Sequence, residues 1–397
     1  MSRVWDPEIP RPFYVLMAGR FMNLVGNSLV FPFMTIYLAT RLHASLGIVG
    51  LIMTLYGASQ VAAQLLGGVL SDTWGRKRVM ITATVLGALT TVEVGLAHHA
   101  GFLITMLILM GLTVPLFQPA SMAMVGDLVP ESKLSHAYSL MRMASNAGIV
   151  IGPMIGGFLA DRSFESIFLL DALSLVIFFV IIVRFIPETR PSGPRPRNPG
   201  GIRDVLRDRS FLHFSALWGL TGMVYSQLYQ VVPAYLHVDL HYPPSTFGYL
   251  AAENALGVVL LQWPLTRLTR PLGSSSQMAL GVLAYAGGFL LMLLGHRLLV
   301  FAGAVMVITI GENIINPAAS TWVAERAPEA LRGRYMGVFG LANRLGAALG
   351  PSWGGWLLTL GAVPWLLLTG LEGGFLAWGY RRFGHARRQP LQLPASR

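Results

Sequence analysis

Hydrophobic residues along this chain come in long unbroken runs, not in the alternation of half-buried strands. A run of about 20 mostly apolar residues is long enough to cross a bilayer as a helix. Twelve runs qualify: 13–38, 46–69, 78–97, 102–125, 137–160, 164–186, 212–236, 245–266, 277–295, 298–320, 335–359 and 362–381. Short polar turns join most of them. The exception is PETRPSGPRPRNPGGIRDVLRDRS (187–210), rich in Pro and Arg and ending in a short charged helical pattern. The pattern predicts an all-α membrane protein of twelve transmembrane helices. Six fall in an N-terminal half (1–186), followed by a cytoplasmic linker (187–210), six more in a C-terminal half (211–382) and a cytoplasmic tail (383–397).

The two halves also match each other. An offset of 198 positions carries Pro119 onto Pro317. The same offset pairs Phe13 with Phe211, Tyr37 with Tyr235, Gly50 with Gly248, Gln64 with Gln262, Gly75 with Gly273 and Gly152-Pro153 with Gly350-Pro351. An ungapped register that includes Pro, Gln and Tyr is not coincidence. Six spans is an even shift, so both halves enter the membrane in the same sense. That is the parallel repeat of a transporter whose halves rock about a central site.

Composition agrees. Hydrophobic residues make up 54% and charged residues 12%, against roughly 25% charged in soluble domains. The net charge of +11 could suggest nucleic acid, but the charges lie between apolar runs, so no nucleic-acid partner is expected. Of 29 Lys and Arg, only Arg41, Arg162 and Arg297 fall in outer loops, and Arg20, Arg142 and Arg344 lie inside spans. By the positive-inside rule both termini are cytoplasmic, facing an anionic inner leaflet. The N-terminal MSRVWDPEIPRPFYV shows no signal-peptide pattern. With no cysteine, thiol catalysis, disulfides and cysteine metal sites are excluded.

Two motifs carry a resemblance over essentially the whole chain. Gly68-x-x-x-Asp72-x-x-Gly75-Arg76-Lys77-Arg78 resembles the loop signature between helices two and three of the major facilitator superfamily. Gly148-x-x-x-Gly152-Pro153-x-x-Gly156-Gly157 resembles the signature of its twelve-helix drug:proton antiporters, and RGRYMG (332–337) is similar to the MdtH-like bacterial multidrug exporters. One departure stands out. Such antiporters usually carry an arginine in span four near Met106, and here span four has no charge.

The first motif has a physical reading. Gly68 and Gly75 permit close approach and tight turning, and Arg76 opens span three within reach of Asp127 at the inner end of span four. The resemblance implies that Asp72 faces the N-terminus of span eleven, making Gly68, Asp72, Gly75, Arg76, Lys77, Arg78 and Asp127 an inner conformational latch. In the repeat Asp72 becomes Arg270 and Arg76 becomes Ser274, so the switch is asymmetric. The alternative is a positive-inside turn alone. In the second motif Gly148, Gly152, Gly156 and Gly157 place small residues along a helix for close backbone approach, with Pro153 adding a bend. The resemblance makes this a sliding seam between the halves. Packing alone is the alternative.

Charges inside spans cost about 2.5–3.5 kcal/mol or more. Glu253 in span eight and Glu312 in span ten are the expected proton carriers, with Arg20 as a partner for an anion. The alternative is a static ion pair. Glu93, Asp171 and Glu372 fall on spans three, six and twelve, which the resemblance implies are peripheral, and read as structural. Asn23, Asn27, Tyr56, Gln60, Asn146, Tyr225, Tyr229, Gln230, Asn313, Asn316 and Arg344 are expected to line a substrate cavity with few polar points. His237-x-x-x-His241 has metal-like spacing, but it precedes Pro243-Pro244, where helix is not expected to persist. No metal, cofactor or catalytic constellation is expected.

The expectation is therefore a monomeric secondary transporter in the cell membrane. It would export hydrophobic or cationic compounds in exchange for protons, with the proton gradient as its energy source. A proton-coupled uptake symporter for a sugar, organic acid or peptide is the main rival, and a non-transporting receptor or lipid-handling protein a more distant one.

Overall fold

A computed structural model of the chain describes residues 6–189, 202–328 and 331–385. Among the described residues the regular structure is helical, and the long passes number twelve. They run over Arg11–Leu42, Leu46–Thr73, Arg76–Leu96, Ala100–Leu128, Leu134–Ala160 and Phe164–Phe185 in the first half. The second half holds Arg209–Gln230 with its continuation to Asp239, then Pro244–Thr269, Ser274–Leu294, Leu298–Arg326, Arg332–Thr359 and Ala362–His385. Eight are long and apolar enough by composition alone to cross a membrane. The other four have spanning length, at 22 to 28 residues.

The helices overrun the apolar runs by a few residues because their polar ends still close backbone hydrogen bonds. Prolines inside them cost less than in water-soluble helices, since neighbouring helices satisfy the freed groups. Pro153, Pro264, Pro317 and Pro351 sit within continuous helix. Pro32 and Pro115 instead lie in short 3-10 turns that interrupt spans one and four. Span seven breaks at Val231, and a π-helix over Tyr235–Asp239 follows. Helix thus persists through His237, contrary to the sequence expectation, because the π turn admits the extra residue before the prolines. His237 Nδ1 lies 2.8 Å from the Tyr242 carbonyl oxygen, and His241 takes a left-handed φ of 58°.

The chain forms two compact units, Met1–Arg195 with Gln230–Ala252, and Pro196–Tyr229 with Glu253–Arg397. The division follows the repeat except for 230–252, the end of span seven and the start of span eight, which pack in the first unit. Of the linker 187–210, residues 190–201 lie outside the described set, as does 386–397 of the tail. Ile202–Val205 forms the short helix the charged pattern predicted.

Corresponding helix pairs touch in each unit, so the sequence repeat is a packing repeat. Span one crosses span five as span seven crosses span eleven. A Cβ on Gly152 would collide with the Ser28 side chain, and one on Gly350 with that of Ser226. Ser28 and Ser226 are themselves one repeat apart. Gln64 Nε2 donates to Gln118 Oε1 at 3.3 Å between spans two and four, and Gln262 Nε2 donates to the Asn313 carbonyl at 3.0 Å between spans eight and ten. Each unit also ties the start of its first span to the inner end of its fourth. Lys133 Nζ lies 2.8 Å from Asp6 Oδ2, and Arg326 Nε 2.9 Å from Asp208 Oδ2. The Lys133 hydrogen bond holds the Asp6 carboxyl below the ordinary carboxylate range.

The span one–five crossing gives a direct test. Gly152→Ala must push spans one and five apart, because the serine it meets is itself hydrogen-bonded to the Gly148 carbonyl at 2.9 Å. Overpacking of this kind costs about 1–3 kcal/mol, and thermal unfolding of the purified protein in detergent should read it as a lowered midpoint.

Candidate functional site

Two clusters, one in each unit, gather several of the residues singled out by sequence. In the first unit the turn after span two is set by Gly75, whose φ of +105° is closed to most side chains. The turn leaves the first N–H groups of span three without helical partners. Glu188, from the start of the linker, supplies the acceptor: its Oε1 takes the Lys77 N–H at 3.1 Å. A negative group at a helix N-terminus is favoured by the helix dipole as well. Lys77 Nζ donates to the Val183 carbonyl at 3.0 Å, which fastens the end of span six to the same turn.

Arg76 follows and is fully buried. Its Nε lies 2.8 Å from Asp127 Oδ2 and its Nη2 3.6 Å from Asp72 Oδ1. None of its three nitrogens has an aligned hydrogen bond, so the contact is an ion pair off the N–H axis. The structure thus brings Asp72, Gly75, Arg76 and Asp127 together. Gly68 stands apart: a Cβ there would meet nothing within 4 Å. The close approach belongs to Gly67, whose Cβ would lie 2.7 Å from the Leu116 carbonyl oxygen and from Pro119. Period-3.6 spacing could not separate two adjacent glycines. Arg78 is exposed. Glu188 and Thr189 were missed in the sequence because they read as linker, yet the Thr189 hydroxyl donates to Asp127 Oδ2 at 2.9 Å.

The antiporter-type glycines divide between two neighbours. Gly148, Gly152 and Gly156 pack on span one, against Leu24, Ser28 and Leu29. Gly157 meets the start of span eight, where its Cβ would lie 2.9 Å from Ser245 Cα. All of these contacts lie within the first unit.

In the second unit Glu312 is the centre. Asn254 Nδ2 donates to Glu312 Oε2 at 3.2 Å and to Thr309 Oγ1 at 2.9 Å, while Tyr229 donates its hydroxyl to Asn254 Oδ1 at 2.8 Å. The Tyr225 side chain lies close to Glu312 as well. The rings of Tyr225 and Tyr229 are 5.9 Å apart, and that of Tyr285 is 5.4 Å from Tyr225. A carboxyl group is thus held by a neutral donor and walled by three tyrosines. Asn254, Thr309 and Tyr285 were missed. A signal existed, since Tyr225 and Tyr229 stand four apart on one face of span seven.

The other expected residues scatter. Glu253, next to Asn254, is half-buried. Arg20 donates to Ser121 Oγ at 2.8 Å and to Ser145 Oγ at 3.2 Å, its guanidinium 5.9 Å from the Phe117 ring centroid. Asn23, Tyr56, Gln230 and Asn313 are buried, and Asn313 Nδ2 donates to the Thr309 carbonyl within its own helix at 3.1 Å. Asn313 Nδ2 also donates to the Gly257 carbonyl at 3.4 Å, which turns the side chain toward span eight. Gln230 lies buried with neither side-chain polar atom hydrogen-bonded. Asn27, Gln60, Tyr225 and Tyr229 are partly exposed; Asn146, Asn316 and Arg344 are exposed. Of the carboxylates read as structural, Asp171 is buried beside Gly26 and Ser174, Glu372 accepts from Trp353 Nε1, and Glu93 is exposed.

Twelve helical passes in two repeated units, with a charged turn at one helix end and a carboxyl inside another helix, define a multi-pass membrane transporter. The sequence profile of the Major Facilitator Superfamily matches residues 16–351, and the chain belongs to that superfamily. It is therefore a transporter and not an enzyme. It is 27% identical to the uncharacterized MFS-type transporter YttB of Bacillus subtilis (strain 168), over 91% of this chain and 92% of that one. It is 26% identical to the multidrug resistance protein MdtH of Escherichia coli O9:H4 (strain HS), over 94% and 96%. Among solved structures, a POT family transporter in complex with 5-aminolevulinic acid superposes with a TM-score of 0.79 at 17% identity, covering 94% of this chain and 96% of that one.

Proposed function

We propose that this transporter exports lipophilic cations in exchange for protons, with Glu312 as the group that holds proton and substrate in turn. The observation that carries the reading is the set of neutral partners around Glu312: one amide, one phenol and a wall of tyrosine rings. An anion buried among neutral donors is costly unless its charge is compensated. A proton compensates it in one half of the cycle and a cation in the other. Tyrosine faces add attraction for a cation. The likeness to MdtH supports the same direction of transport.

In this reading the cell membrane holds the protein with both termini inside, the two halves alternate during transport, and the Asp72–Arg76–Asp127 cluster serves as a latch on the cytoplasmic side. The protein works as a monomer. Among the described residues no cationic side chain pairs with Glu312 to receive a carboxylate or phosphate, which favours export of a cation over uptake of an acid or peptide.

The test is reconstitution into liposomes with a trapped pH dye and an imposed proton gradient. A panel of lipophilic cations should each trigger proton movement. Silence with every cation, together with a response to a sugar, peptide or organic acid, overturns the export reading.

A further inference from the structure

We infer that Asp161 is an outer latch, a positioning residue that holds the start of span eight against the end of span five and must let go once per transport cycle. The inference rests on the superfamily's alternation and not on which solute moves.

Segment 230–252 belongs by sequence to the second repeat but packs in the first unit. Its contact with span five is built for close approach. A Cβ on Gly157 would lie 2.9 Å from Ser245 Cα, and one on Gly248 would lie 3.0 Å from the Pro153 carbonyl oxygen. The rings of Phe158 and Tyr249 meet edge to face at 5.4 Å, and those of Phe33 and Phe247 at 6.3 Å. These are glycine-and-ring surfaces, able to part and re-form without breaking a hydrogen-bonded network.

A polar contact joins them as well. Span eight begins Pro243-Pro244-Ser245. Neither proline has an N–H or a capping side chain, so Ser245 supplies the first free donor of the helix. The residues just before the helix offer that donor no side-chain acceptor. Asp161, at the end of span five, supplies one from 84 positions away: its Oδ1 accepts the Ser245 N–H at 2.9 Å. A carboxylate there satisfies the orphan donor and meets the positive end of the helix dipole. The cap of one helix has been placed on another, so parting the two helices uncaps span eight. Its removal should therefore favour the parted state. Inside the same unit, the turn at Gly75 uses Glu188 on span three in the same way.

The chain has no cysteine, which makes the test direct. Phe158→Cys and Tyr249→Cys are introduced together, and the fraction joined by a short bifunctional methanethiosulfonate is measured in membranes without substrate. Efficient cross-linking is expected with Asp161 in place. Asp161→Ala, which loses both acceptor and charge, should shift the closed-to-parted ratio about fivefold, equivalent to about 1 kcal/mol for a lost cap. Asp161→Asn keeps an acceptor oxygen without the charge and should fall between. Equal cross-linking in all three backgrounds overturns the latch. If Asp161→Ala is not recovered as folded protein, Asp161→Asn with wild-type cross-linking overturns it equally. Because no substrate is present, the result does not depend on the export reading.

Discussion

Glu312→Gln, reconstituted in proton-tight vesicles, should give no proton movement on addition of any cation that drives the wild type. Glutamine keeps the shape of the side chain and can still accept from Asn254, so the network of spans seven, eight and ten stays assembled. What it loses is the ability to take up and release a proton. The variant should therefore be as well folded as the parent and still bind a neutral apolar compound, while binding of a cation weakens because the counter-charge is gone. Glu253→Gln is the control. Glu253 sits on span eight beside Asn254 but outside the tyrosine wall around Glu312 of span ten, so its replacement should leave cation-triggered flux in place. Flux lost in Glu253→Gln and kept in Glu312→Gln would move the proton site to span eight.

The second large effect is on stability. Asp208 precedes span seven, almost wholly buried, and serves three groups. Its Oδ1 accepts the Phe211 N–H at 3.0 Å, so it caps the helix. Arg326 forks onto both its oxygens at 2.9 Å, and Tyr335 donates to Oδ2 at 3.1 Å. Asp208→Ala removes cap and counter-charge together and leaves Arg326 facing a void. Breaking a buried pair in this way costs about 3–5 kcal/mol, and the low end applies because Arg326 keeps some solvent contact. Reversible unfolding in mixed micelles should show it.

The effect has a pH signature. Burial pushes the Asp208 carboxyl up, but the Arg326 fork, the Phe211 N–H and the Tyr335 hydroxyl outweigh it and leave it below the ordinary range. A carboxyl lowered by folding adds stability that is complete above its unfolded pKa and is lost as pH falls through its folded pKa. The gap between Asp208→Ala and wild type should therefore close in acid. A gap that is constant with pH would show that the ionised carboxylate is not what stabilises the fold.

The sequence by itself determined the number of spans, their ends to within a few residues, the repeat and the family. Each of these depends on a property summed over many positions. A bilayer requires some 20 apolar residues per pass, and a duplicated half keeps its register wherever Pro, Gln and Tyr remain in step. The Arg76–Asp127 pairing was also legible, because a turn of fixed length puts Arg76 at the head of span three and Asp127 at the same end of span four.

Contacts between helices far apart in the chain were decided only by the tertiary structure. Spacing could nominate Glu253 and Glu312 alike. Only the packing of spans seven, eight and ten gives Glu312 its amide and phenol partners and leaves Glu253 without them. The same holds for Gly67 against Gly68, for Glu188 and Thr189 folding back from the linker, and for Asp161 capping a helix 84 positions away. A helix exposes a different residue every 100° of turn, and which one meets a partner depends on rotation and neighbours that no local pattern encodes.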